Sequence, residues 1–196
     1  MDSAALLNFL SWGMILTSAL TFVACMYIQA PYGRYTKASG WGVQIPAKFS
    51  WFLMECPNLV ISAIVYIHYS ASACSSNWKN NVMILLFVFH YINRAVVYPL
   101  RMTSAANAMP IGVVLLAFTY CCWNGTVQAL SLGVVNCDNQ VSNLQFYAGV
   151  LVCEIWFLFY VGYLWGYSSV MMLPYSTSSG AFEFTYLLLS CSVIIH

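Results

Sequence analysis

The sequence predicts an all-α fold, a polytopic bundle of transmembrane helices. Of its 196 residues, 62% are hydrophobic and 6% are charged, and the mean hydropathy is +0.78. A soluble domain of this length needs many more charges on its surface. The apolar residues also form long runs without alternating polarity, which favours membrane-spanning helices over barrel strands.

Five of these runs are long enough to cross a bilayer, because a spanning helix needs about 20 mostly apolar residues. They are roughly Ala4–Ala30, Phe49–Tyr69, Val82–Tyr98, Pro110–Val135 and Phe146–Val170. The first run is longer than a signal-peptide core and has no basic residues before it, so we expect a retained helix. A sixth run, Phe184–Ile195, is too short to cross and is expected to form a short C-terminal apolar segment.

The charges of the connecting loops predict how the bundle is oriented. The first loop carries Arg34, Lys37 and Lys48 and the third carries Arg101, while the second has only Lys79 and the fourth only Asp138. By the positive-inside rule, the first and third loops face the cytosol and the N-terminus faces the lumen.

The second run contains Glu55, a carboxylate near the start of an otherwise uncharged stretch. Burying an ionised carboxylate costs several kcal/mol or more, so Glu55 must be neutral, paired, or turned toward a filled cavity. Asn58 lies three residues later on the same helix face, with Pro57 between them. The alternative is a carboxylate that hydrogen-bonds lipid headgroups at the interface.

The third run contains a dense group of polar residues near its end. His90, Tyr91 and Arg94 are spaced to share one helix face. The alternative is that Arg94 extends to the headgroups and Tyr91 belongs to the interfacial aromatic belt. In the fourth run, Asn124 and Gln128 lie one helical turn apart, and interhelical hydrogen bonding is the simpler explanation for them.

Glu55 and Tyr91 together indicate a chemistry. A protonated carboxylic acid and a phenol can both donate hydrogen bonds to one carbonyl oxygen and stabilise charge that develops there. An apolar surrounding favours the uncharged form of Glu55 that such a donor requires. The pair therefore predicts activation of an enone.

Other classes of function are disfavoured. A net charge of +1 without clusters of Lys and Arg argues against a nucleic-acid binder. The eight cysteines show no metal-ligand spacing, so we interpret them as packing residues and predict no metal site. Cys74 and Cys137 lie in loops predicted to share the lumenal side, where a disulfide between them is an open alternative.

Five motifs resemble the steroid 5α-reductase family, especially its plant and invertebrate members. They are Pro31-Tyr-Gly-Arg-Tyr-Thr36 with Trp41-Gly42, Ser50-Trp-Phe-Leu-Met-Glu-Cys-Pro57, His90-Tyr-Ile-Asn-Arg94, Val97-Tyr-Pro-Leu-Arg101 and Asn124-Gly-Thr-Val-Gln128. The resemblance implies a helix bundle of the endoplasmic reticulum membrane that binds NADPH and a flat apolar enone such as a steroid or sterol. In the family, hydride reaches the β-carbon of a 3-oxo-4-ene steroid while a glutamate and a tyrosine hold the ketone.

By this resemblance, Glu55 and Tyr91 are the catalytic residues. Arg94, Asn124, Gln128 and Arg34 match motif positions near the substrate or cofactor pocket. We therefore expect NADPH-dependent reduction of the 4,5 double bond of a 3-oxo-4-ene steroid or a similar apolar enone.

The resemblance fades after about Val152, where the later family motifs are not found. Residues 102–196 contain no Lys or Arg, although the phosphates of NADPH are normally held by cations or helix N-termini. We therefore expect a reductase-like membrane domain over residues 1–151 and a divergent apolar tail over 152–196, in which the cofactor part is missing or replaced. Two further hypotheses are a non-catalytic sterol-binding membrane protein that pairs with full-length relatives, and a non-functional product.

Overall fold

The computed structural model of the chain describes residues 2–28, 41–70, 77–102, 106–135, 142–152 and 155, without the side chains of 69 and 70. The chain divides into two compact units, Met1–Asp138 and Asn139–His196. All but the last two described ranges belong to the first unit, which carries the polar residues discussed above.

Four long helices make up the first unit. They are α1 (Ser3–Tyr27), α2 (Ala47–Ser70), α3 (Trp78–Arg101) and α4 (Ile111–Val135). Each is long and apolar enough to cross a membrane, which confirms the predicted all-α polytopic class. The fifth predicted span, Phe146–Val170, overlaps a described helix over 143–152 and then continues outside the described residues, where the run Phe184–Ile195 also lies.

Helices α2 and α4 share the most extensive contact in the described part of the bundle, and Gly125 allows their backbones to approach each other. A Cβ atom on Gly125 would lie 3.3 Å from Asn58 Cα and 3.4 Å from the Pro57 carbonyl oxygen. Small residues allow membrane helices to approach backbone to backbone, where van der Waals contact and interhelical hydrogen bonds hold them. The same approach brings the amides of α4 within reach of α2.

Helix α1 packs on α4 through one narrow face. Leu7, Ser11, Met14 and Ser18 are its buried residues, spaced as one stripe of a helix. Trp123 of α4 donates its indole N–H to the Leu10 carbonyl at 3.1 Å. A Cβ atom on Gly13 would lie 2.8 Å from the Trp123 ring, so the glycine makes room for the indole.

Two π-helical turns interrupt the regular helices. One spans Asn93–Val97 within α3, and the other, Ser131–Val135, ends α4. At the latter, Asn80 of α3 donates to the Leu132 carbonyl at 2.9 Å, which ties the two helices together. Single π turns recur at functional sites because they re-aim side chains, and the turn in α3 contains Arg94.

A short antiparallel ribbon was not predicted from the sequence. It pairs β1 (Gln44–Ile45) with β2 (Met109–Pro110), just before α2 and α4 begin. The Gly112 N–H extends the contact to the Trp41 carbonyl at 2.9 Å. A Cβ atom on Gly112 would lie 2.9 Å from that oxygen, so only glycine fits. The ribbon brings the ends of the first and third loops together at one end of the bundle.

In the second unit, the helix over 143–152 begins with a capping box. The Ser142 hydroxyl accepts a hydrogen bond from the Gln145 backbone N–H at 3.3 Å, and the Gln145 side-chain oxygen accepts from the Ser142 N–H at 3.2 Å. Two of the N–H groups at the helix start are thereby satisfied.

Candidate functional site

Glu55 lies inside the bundle, on the buried side of α2, with 6% of its surface exposed. The helix passes through Pro57, which has no N–H to donate to the Leu53 carbonyl. The Cys56 thiol lies 3.5 Å from that carbonyl and supplies a weak donor in its place. Because the Glu55 side chain is buried inside the bundle, the alternative of a carboxylate at the lipid headgroups is wrong.

Glu55 forms an ion pair with Arg94 of α3. The Arg94 Nε–H donates to Glu55 Oε1 at 2.5 Å, and the two side chains are only 13% and 8% exposed. Of the three states expected for a buried carboxylate, the structure has the paired one. The expectation of an isolated Glu55 in a purely apolar surrounding is corrected, because its carboxylate has the Arg94 guanidinium as a partner. The alternative of Arg94 reaching the headgroups is also wrong.

Two aromatic rings pack beside the Arg94 guanidinium. Trp51 contacts it, and Tyr98 contacts Trp51. The Arg94 Cζ atom lies 5.5 Å from the centre of the Trp51 ring, within cation–π range. The Tyr98 ring meets Trp51 edge to face at 5.1 Å. Sequence analysis missed both residues, although their spacing gave a signal. Trp51 precedes Glu55 by one turn of α2, and Tyr98 follows Arg94 by about one turn of α3.

Tyr91 is joined to α2 and α4 through buried amides. Asn124 Nδ2 donates to the Tyr91 hydroxyl oxygen at 3.1 Å and to Asn58 Oδ1 at 3.0 Å. Tyr91 is 3% exposed, so its assignment to an interfacial aromatic belt is wrong. For Asn124, interhelical hydrogen bonding is confirmed. Three helices thus meet at one polar cluster within an apolar bundle.

Two polar atoms beside this cluster are buried without a hydrogen-bond partner among the residues that the structure describes. They are Asn58 Nδ2 and Gln128 Oε1, whose residues are 0% and 1% exposed. Such a group costs about 1–3 kcal/mol when it is left unsatisfied. The interhelical bond expected of Gln128 is therefore absent at its acceptor oxygen. Orphaned groups of this kind are common where a water molecule or a ligand binds.

Cys121 contacts the ion pair from α4. Its Sγ lies 3.8 Å from Glu55 Oε2, and the residue is 8% exposed. The interpretation as a packing residue holds for its burial, but it missed this polar contact. His90, which precedes Tyr91 in the chain, meets the Tyr91 ring edge to face at 5.1 Å.

The remaining predicted residues lie elsewhere. Arg34 and the cysteines 74 and 137 fall outside the described residues. Within the described ranges, no group of three or more His, Cys, Asp or Glu side chains could hold a metal ion. The polar cluster that the structure brings together therefore consists of Glu55, Arg94, Tyr91 and Asn124, with Asn58, Trp51, Tyr98 and Cys121 around them, while Gln128 is buried one turn after Asn124 on α4.

Sequence comparison finds several similar proteins. The chain is 33% identical over 138 residues to steroid 5-alpha-reductase DET2 of Gossypium hirsutum, covering 67% of this chain and 52% of that protein. It is 31% identical over 147 residues to 3-oxo-5-alpha-steroid 4-dehydrogenase 1 of Bos taurus, covering 74% and 56%. The Rattus norvegicus protein of that name is 30% identical over 152 residues, covering 76% and 57%.

The chain therefore spans about half the length of the curated relatives it matches. No family model matches it.

Proposed function

Because the chain resembles the steroid 5α-reductase family in sequence, we propose that its bundle binds the ketone end of a 3-oxo-4-ene steroid, or of a similar apolar enone. The reaction served is reduction of the 4,5 double bond. The observation that supports this proposal is the buried cluster in which Tyr91 and Glu55, the two residues that the resemblance assigns to the ketone, both lie inside the bundle.

Tyr91 is the direct hydrogen-bond donor in this proposal. Asn124 donates to its hydroxyl oxygen, which fixes the orientation of the phenol against α4. A phenol O–H aimed at a ketone oxygen stabilises the negative charge that the oxygen gains during reduction. A site with little exposure to water strengthens that interaction.

Glu55 has a different part while it is paired. An ionised carboxylate only accepts hydrogen bonds, so Glu55 holds Arg94 in the bundle and offers the ketone no donor. It becomes the second donor when it carries a proton, which weakens its bond to Arg94.

NADPH supplies the hydride in reactions of this class, and its pyrophosphate and 2′-phosphate need cations or helix N-termini. Among the described residues the cations are dispersed. Arg94 is paired with Glu55, Lys48 and Arg101 lie at one end of the bundle, and Lys79 lies at the other. The described part therefore fits the ketone end of the reaction, and a cluster for the phosphates is not found within it.

The ketone contact can be tested without turnover. We would measure competition against a photoreactive 4-en-3-one steroid in membranes, using two competitors that differ only in the 3-ketone. We expect the parent chain to prefer the ketone and Tyr91→Phe to lose that preference by roughly fivefold, the usual worth of one hydrogen bond. Tyr27→Phe is the matched control, because Tyr27 is 84% exposed on α1. Equal binding of both competitors to the parent would contradict the proposal.

Turnover is tested by NADPH oxidation and loss of the enone absorbance in microsomes that contain the chain. Glu55→Gln and Tyr91→Phe are expected to abolish any activity above that of empty microsomes. Asp2→Asn, at an exposed residue before α1, is the control for loss of a carboxylate. Activity that survives both site substitutions would remove the assignment of these residues.

A second candidate function is ketosteroid or sterol binding without catalysis, in partnership with a full-length relative. The dispersed cations favour it, because the described part offers no phosphate cluster of its own. Ketone-dependent photolabelling without saturable NADPH binding would support this function. Co-purification of a tagged full-length relative with the chain would support the partnership, and saturable NADPH binding by the chain alone would exclude the non-catalytic role.

We also propose that the bundle resides in the endoplasmic reticulum membrane with its N-terminus in the lumen. The four apolar helices and the loop charges support a multi-pass protein of this orientation. Protease protection of an N-terminal epitope tag in sealed microsomes tests it, and digestion of the tag without detergent would reverse the orientation.

A further inference from the structure

A groove lies on the outer side of the bundle, between the start of α2 and the end of α3. It has a volume of about 420 Å³, within the range of ligand pockets. Its lining consists of Lys48, Phe49, Phe52, Ala95, Val96, Pro99 and Leu100. Six of these side chains are apolar, and one carries a positive charge.

The groove has a floor and walls. Ala95 is fully buried and Pro99 is buried as well, so two small side chains close it toward the bundle. Its walls are large apolar residues that remain exposed, with Phe49 at 55% and Leu100 at 74%. A groove with these walls can hold a flexible hydrocarbon chain that lies along the helices.

The positive charge of Lys48 lies at one end of the groove. Lys48 is exposed in the first turn of α2, and the apolar spans of α2 and α3 begin and end beside it. None of the described residues that line the groove is acidic, and Glu55 is turned into the bundle toward Arg94. An anionic group bound at Lys48 would therefore lie at the membrane surface, directly above the apolar furrow.

We propose that this groove binds one anionic phospholipid of the surrounding bilayer, with an acyl chain between α2 and α3 and the headgroup phosphate or carboxylate on Lys48. Basic pockets between transmembrane helices on the cytosolic side commonly bind the headgroups of anionic lipids. The proposal does not depend on the steroid site, since none of the groove residues belongs to it.

The test uses the purified chain in phosphatidylcholine vesicles that contain a photoreactive phosphatidylserine or a phosphatidylcholine with the same photoreactive acyl chain. Labelled peptides are mapped by mass spectrometry. We expect the phosphatidylserine probe to label residues 48–52 and 95–100 roughly fivefold more than the phosphatidylcholine probe, and Lys48→Gln to remove this preference. Lys79→Gln, at the other end of the bundle, should leave it unchanged.

A second pair of variants tests the furrow itself. Val96→Phe narrows the groove and should reduce labelling by both probes, whereas Ile64→Phe, on an exposed face of α2, should not. Circular dichroism and a single size-exclusion peak establish that each variant is folded. Equal labelling by the two probes, or an unchanged preference in Lys48→Gln, would overturn the proposal. The proposal would also be overturned if neither probe labelled the groove residues and these residues instead formed cross-links to another segment of this chain or to a second copy of it.

Discussion

At the level of single residues, the buried ion pair decides how the site is held. Removing one partner of such a pair leaves an uncompensated charge in the bundle, which typically costs about 3–5 kcal/mol. Arg94→Met should therefore lower the free energy of unfolding by that amount. Glu55→Gln together with Arg94→Met should cost less than Arg94→Met alone, because no charge remains buried.

The measurement is thermal or denaturant unfolding of the purified variants in one detergent. A double variant that loses as much free energy of unfolding as Arg94→Met alone, or more, would contradict the pairing that the structure shows.

Asn124 offers a second residue-level prediction, because its amide bridges Asn58 and Tyr91. Hydrogen bonds between membrane helices contribute about 0.6 kcal/mol each on average. Asn124→Leu should therefore destabilise the bundle by about 1 kcal/mol and also weaken ketone-dependent steroid binding. Thr126→Val is the control, since Thr126 bonds only within its own helix, to the Cys122 carbonyl at 2.8 Å. If the two substitutions reduced stability and steroid binding equally, the Asn124 bridge would not be the cause of the effect.

The sequence predicted the members of this site better than their bonding. The motif positions of Glu55, Tyr91, Arg94 and Asn124 follow from the chain alone, because polar residues in apolar helices are few and need partners. The Glu55–Arg94 pair joins residues 39 positions apart, and no local pattern indicates that distance. Trp51 and Tyr98 were missed because single aromatic residues near a membrane interface are too common to point to a site.

At the level of elements, the contact of α2 with α4 depends on one glycine. Gly125→Ala places a methyl group 3.3 Å from Asn58 Cα, so the helices must move apart and their hydrogen bonds lengthen. Overpacking of this kind typically costs about 1–3 kcal/mol. Gly149→Ala is the matched control, because nothing lies within 4 Å of its added methyl group. Unfolding midpoints compare the two variants, and an equal shift in both would show that the effect comes from helix propensity.

The helices were predictable and their irregularities were not. Apolar runs and loop charges give the four spans of the first unit, since length and hydropathy are read directly from the chain. The ribbon of β1 and β2 has only two residues in each strand, too few for an alternating pattern. The π turn at Asn93–Val97 was likewise not predicted, although Pro99, which has no N–H to donate to the Ala95 carbonyl, interrupts the regular hydrogen-bond pattern just after it.

At the level of the whole molecule, the ribbon makes a prediction about topology. It joins the start of α2 to the start of α4, so the loops that precede these two helices must lie on the same side of the membrane. Epitope tags inserted at residues 29–40 and 103–105 should become accessible together when the plasma membrane alone is permeabilised, and a tag at 71–76 should not. Tags at 29–40 and 103–105 on opposite sides would contradict the bundle.

The long sequence separation of the ion pair also bears on how the chain is made. At about 5–20 residues per second, the ribosome adds Arg94 roughly two to eight seconds after Glu55. During that interval, α2 leaves the translocon with a carboxylate whose counter-ion has not been synthesised, and an unpaired charge within a spanning helix opposes insertion. We therefore expect the nascent α2 to wait beside the translocation channel and to enter the lipid together with α3, as a hairpin.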